Sequence, residues 1–152
     1  MHVAVSVGWL GLTGALVALE AVGLATSDPS ERTGIALALT VVVWVLMPVV
    51  FVSLVSGLIL ALSTPWGLAR YWWVLIKCGI AAVLTVTGMV LMLPRLHQVI
   101  AGEAEPVRME MLIGRSLALA LLLVATGLSV VKPWGKTPHG RAVRTHRPVQ
   151  WK

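Results

Sequence analysis

This 152-residue sequence is short of charge. Lys, Arg, Asp and Glu make up 12% of it, about half of what a soluble domain carries. The few charges are also bunched: residues 3–19, 33–69, 78–94 and 116–131 contain none. A soluble protein of this size can hide one such run as a core helix. With four, nothing amphipathic is left to cover them, and a mean hydropathy of +0.91 agrees. The runs also lack the alternation of apolar and polar residues that a membrane β-barrel needs. In hydrocarbon each backbone N–H and C=O must be satisfied within its own segment, so apolar runs of about 20 residues read as helices.

Other absences narrow the chemistry. Cys78 is the single cysteine, so no disulfide framework exists, and inside an apolar run it reads as a small buried side chain. The amino end, Met1-His2-Val3, lacks a basic n-region, and no convincing cleavage site follows; the first run reads as a retained helix, not a signal peptide. No two histidines have ligand spacing on one helix, and neither Cys-x-x-Cys nor His-Glu-x-x-His occurs, so spacing offers no zinc or copper site. Phosphate-loop, dinucleotide and nucleophile-elbow motifs are missing too. Gly8, Gly11 and Gly14 fall inside an apolar helix, not in a phosphate-binding turn.

What remains predicts an all-α integral membrane four-helix bundle with both termini cytoplasmic. Its spans are expected at about 3–24, 33–62, 71–93 and 108–131, followed by a basic cytoplasmic tail over 132–152. The polar turn 26–32 closes the first span. The second measures about 45 Å against a hydrocarbon core of about 30 Å, so it must tilt, protrude or kink, with Pro48 the place for a kink. A break at 63–67 follows, and Trp66, Tyr71, Trp72 and Trp73 form an interfacial belt. Pro94 is expected to stop the third span, leaving a polar loop over 94–106 that contains Arg95, His97, Glu103 and Glu105. Ala4 with Gly8, Gly11 with Ala15, the series Ser53, Gly57, Ala61, and Gly114 with Ala118 follow the small-xxx-small rule for close helix approach.

Four ionisable residues stand out. Lys77 lies seven positions after Arg70, about 10 Å along the helix. It either snorkels to the headgroups or faces the bundle interior, where it could bind an anionic group. Glu20 and Arg115 sit at matching depths on the first and last spans. They are expected to form a direct or water-bridged buried ion pair, chiefly architectural, with a substrate or proton path as the alternative. His2 is near the inner face, where it could serve as a single axial haem ligand. Met89, Met92, Met109 and Met111 could offer soft ligands or simply pack. The tail's Lys132, Lys136, Arg141, Arg144, Arg147 and Lys152 fit anionic lipid headgroups more economically than nucleic acid.

The stretches 2–11, 56–60 and 71–77 carry a resemblance. A histidine before a tryptophan and a small residue, a glycine-containing helix end (Ser56-Gly57-Leu58) and an aromatic-rich entry to a lysine-bearing helix (Tyr71-Trp72-Trp73…Lys77) are similar to a family of small uncharacterised bacterial integral membrane proteins. More remotely, they resemble the membrane domain of copper-resistance protein D and the bacterial membrane-bound protoporphyrinogen oxidase. The resemblance implies a bacterial inner-membrane location and cofactor-binding roles for His2 and Lys77. In the oxidase such a histidine is regarded as a haem ligand and such a lysine is needed for activity. Where the oxidase has a second histidine, this chain has Glu20-Ala21.

Three function classes follow. The first is a non-enzymatic membrane protein acting in interaction, assembly or support of a membrane partner, or as a homo-oligomer. The others are a haem-linked redox protein using His2 and Lys77, and a small oligomeric transporter.

Orientation rests on charge. The tail carries six Lys and Arg with no acid, and basic residues near span ends stay cytoplasmic. A reporter active only in the cytoplasm should work when fused after Lys152. A silent fusion there, alongside an active periplasmic reporter at the same point, would reverse the orientation.

Overall fold

The computed structural model describes residues 1–63, 71–100, 105–131 and 135. The expected break at 63–67 with Trp66, the residues Arg70 and Glu103, and the tail 132–152 apart from position 135 lie outside the described residues.

Helix α1 spans His2–Ala25 and α2 spans Pro29–Ser63. The turn between them is held by its own polar groups. Asp28 precedes Pro29, and its Oδ1 accepts from the Ser30 amide and the Ser30 hydroxyl, both at 2.8 Å. Those two bonds hold the Asp28 carboxyl below the usual carboxylate range. Asp before Pro at a helix start satisfies one orphan amide and removes another. The Thr26 hydroxyl donates to Glu31, and Arg32 Nε donates to the Thr26 carbonyl at 2.9 Å.

Helix α3 covers Trp72–Thr87, a π-helical turn covers Gly88–Met92, and α4 covers Leu93–Ile100. Pro94 therefore does not stop the third span. A proline has no N–H to offer the carbonyl four residues back and its ring crowds that carbonyl. Here the helix widens just before it, and Pro94 falls in the first turn of α4, where a missing donor costs nothing. The expected polar loop over 94–106 is correspondingly shorter, since 94–100 are helical. Arg95 pairs with Glu110 across to the next helix. Helix α5 covers Glu105–Val131.

Among the described residues, four helical stretches are long and apolar enough to cross a membrane: His2–Ala25, Pro29–Ser63, Trp72–Gln98 and Pro106–Val131. They run up and down alternately, because His2 meets Ser56, Glu20 meets Arg115 and Lys77 meets Ser129. Helix α1 lies between α2 and α5, while α3 packs on α5 and scarcely touches α2.

The seams have a heptad rhythm. On α1 the buried residues are Trp9, Thr13, Leu16, Glu20 and Gly23; on α2 they are Ala36, Leu39, Val43, Val50 and Ser53. Steps of three and four keep one stripe facing its neighbour, as in left-handed antiparallel pairs. Leu16, Leu39, Val43, Leu96 and Met111 form one core cluster, and Trp9, Val50 and Leu122 another. Leu96 of α4 thus plugs the Glu20 end of the bundle. Among the described residues α3 buries only Val74.

Small residues do part of the expected packing. Gly8 faces Val49 of α2, and Ser53 shares a 3.1 Å hydrogen bond with Ser6. Gly11 and Ala15 are exposed and pack nothing in this chain, because they fall outside the 9-13-16-20 seam. Gly57 has the tightest neighbour: a Cβ there would stand 2.8 Å from His2 Cε1. Gly57→Ala should push the His2 ring off Ser56, costing about 1 kcal/mol, the worth of the lost hydrogen bond. Melting in detergent should show that cost in wild-type background and none once His2→Ala is present. An equal cost in both backgrounds would mean that the ring is not what Gly57 accommodates.

Candidate functional site

The polar groups of the spans gather at two levels. At the His2 end, α1 contributes His2 and Ser6, α2 Ser53 and Ser56, α3 Lys77, and α5 Ser129. His2 Nδ1 and Ser56 Oγ are 3.0 Å apart. The Lys77 ammonium donates to the Ser129 hydroxyl, so Lys77 faces α5 and not the lipid. Ser129 in turn donates to the Ala125 carbonyl at 3.0 Å, completing a chain from α3 into the backbone of α5.

At the opposite end Arg115 Nη1 lies 2.6 Å from Glu20 Oε1, with side chains only 8% and 5% exposed. The charges touch, yet neither Glu20 oxygen nor that nitrogen makes a hydrogen bond of good angle. Distance establishes the contact, and the angle shows that it is not a two-pronged clasp. A guanidinium carries five N–H donors, and Glu20 engages it through one nitrogen. Beside the pair, Glu20, Gly23, Ile35, Leu39, Arg108 and Met111 line a gap of about 10 Å³, at the lower limit for one water.

Between the two levels lies a cavity of about 370 Å³. Its floor is α1 and α5, and its side walls are α2 and the α3–π segment. Trp9, Leu16, Val50 and Leu84 supply apolar surface, Gly88 and Met89 belong to the π-helical turn, and Arg115 is its charged wall residue. Phe51, Val83 and Met89 line it and are also exposed outward, so it opens sideways between α2 and α3.

No family model, curated protein or solved structure matches this chain. Its chemistry has to be read from its own side chains.

Of the residues singled out in sequence, Glu20 and Arg115 are brought into contact, and His2 and Lys77 share one end of the bundle. The two groups are separated by most of the length of α1, about 27 Å at 1.5 Å per residue. The His2 ring is pressed on the α2 backbone at Gly57, with both ring nitrogens 3.5 Å from where a Cβ would be. Neither His2 nor Lys77 lines the large cavity or the small gap. Among the described residues no group of three or more His, Cys, Asp or Glu could hold a metal. Met111 is buried in the core, Met89 is on the cavity wall, and Met109 faces outward; the side chain of Met92 lies outside the described residues. Cys78 is half-buried and free.

Sequence reasoning missed the serines opposite His2 and Lys77, and it missed the cavity. Gly114 and Ala118, both on its wall, were the available signal: small residues on α5.

The ion pair makes a direct prediction. Glu20→Gln or Arg115→Met alone strands a buried charge and should cost about 3–5 kcal/mol, while the double variant should cost less than either sum. Folded yield and melting in detergent read the cycle. Strictly additive losses would show that the two groups do not depend on each other.

Proposed function

We propose that the protein is a non-enzymatic component of the bacterial plasma membrane, with both termini cytoplasmic, that acts in the interaction, assembly or support of a membrane partner. One observation carries this reading. His2, Lys77, Glu20 and Arg115 are each joined to a different helix: His2 to Ser56, Lys77 to Ser129, and Glu20 to Arg115. A catalytic site needs several such groups converging on one reacting atom. Here they tie helices together at two separated levels, which is how polar residues act as glue in bundles. The surface left for recognition is apolar, and on α3, the helix that buries least, Trp72, Leu75, Ile76, Val83 and Val86 all face outward.

Two measurements test the reading. Gently purified protein should show no stoichiometric Soret band. Such a band, lost on His2→Ala, would replace this reading with the haem-linked one. Photoreactive residues at Ile76 and Val83 on α3 should give a discrete protein-sized adduct in native membranes, and those at Leu37 and Val41 on α2 should give lipid adducts only. Lipid adducts at all four positions would remove the partner.

A further inference from the structure

The cavity is independent of that reading, and its chemistry is specific. It is apolar over nearly its whole wall. Arg115 is more than nine-tenths buried and lines it, and its guanidinium is only partly engaged by Glu20. Thr87 lines it as well. The Thr13 and Thr85 hydroxyls on the same wall are spent on the carbonyls of Trp9 and Ala81. Thr87 makes no side-chain hydrogen bond among the described residues. Measured from the Lys77–Ser129 contact, Thr87 is about 15 Å further along α3 and Arg115 about 21 Å further along α5, so the two spare donors face the cavity about 6 Å apart in depth.

The charge state of the Arg115 level selects the ligand. Glu20 and Arg115 sum to zero, and Arg108 lines the small gap and not the cavity, so an anion entering the cavity would leave a net charge in hydrocarbon, which is expensive. A neutral carbonyl oxygen accepts the unused N–H and O–H donors and adds no charge. Trp9, buried and on the wall, lies about 13 Å nearer the His2 end than Arg115, beside the body of such a molecule and not its carbonyls. The sideways opening between α2 and α3 lets an apolar tail run out into the bilayer. The π-helical turn forms part of that opening, and such turns often occur where a helix adapts to a function.

We propose that this cavity binds a neutral, carbonyl-bearing molecule with an apolar body and tail, the chemistry of a membrane quinone, with its carbonyl oxygens on Arg115 and Thr87. Binding alone is assigned; no electron transfer is implied.

The test uses the full chain in phosphatidylcholine nanodiscs, with decylubiquinone as the probe and tryptophan quenching as the readout. Quenching should show a saturable component above the linear quenching of lipid-facing tryptophans, and Trp9→Phe should remove only the saturable part. Ala118→Phe, which fills the cavity, should abolish it. Thr87→Val, which keeps shape and loses the donor, should weaken it about tenfold, a change of the size expected for one hydrogen bond. Decanoate, an anion with a similar tail, should not compete. Purely linear quenching overturns the site, as does a saturable component that survives both Trp9→Phe and Ala118→Phe. Competition by decanoate at equal strength overturns the neutral head and assigns an acyl-chain carboxylate instead.

Discussion

A charge held in hydrocarbon must find a partner, and this requirement organises the bundle. Glu20 on α1 and Arg115 on α5 are both buried and meet at 2.6 Å. Their contact fixes the first helix against the last and sets the vertical register between them. With that register fixed, the heptad stripe of α1 meets Leu39 and Val43 of α2 on one side and Met111 of α5 on the other. Helix α1 then becomes the middle of the structure. Lipid supplies no hydrophobic drive between helices, so a few polar contacts carry more responsibility for geometry than they would in water.

The looseness of the third span follows from the same rule. Helix α3 has one polar tie, Lys77 to Ser129, near its beginning. Past the middle of that span the helix widens into a π turn and α4 bends Leu96 into the core. The span is pinned at both ends, by Lys77 below and Leu96 above, and stands off from α2 between them. That stand-off is the cavity. Pro94, which has to be accommodated, and Gly114 with Ala118, which leave space, supply the local reasons.

The helical spans were legible because hydrocarbon leaves few alternatives: a long uncharged run has to be a helix. Depth was legible too, since rise per residue places Glu20 and Arg115 at one level, with His2 and Lys77 towards the opposite side. Facing was not. On helices apolar all round, hydropathy does not distinguish Leu39, which is buried, from Leu37, which is exposed; only the neighbouring helix decides. Gly11 with Ala15 shows the same limit, a correct small-residue pattern on the wrong face. Pro94 was read by its usual effect, and the π turn that absorbs it leaves no simple signature in the sequence.

The cavity opens sideways between α2 and α3, so its volume is no measure of lost packing, and molecules of the bilayer can fill it. The wall dictates with what: mostly hydrocarbon-like atoms, plus an acceptor at the level of Arg115. An acyl chain alone would meet the first demand and leave the guanidinium short of partners. A neutral molecule with both an apolar body and carbonyl oxygens meets the two together. The weakly packed α2–α3 side then has a structural reason, as the edge through which that occupant enters.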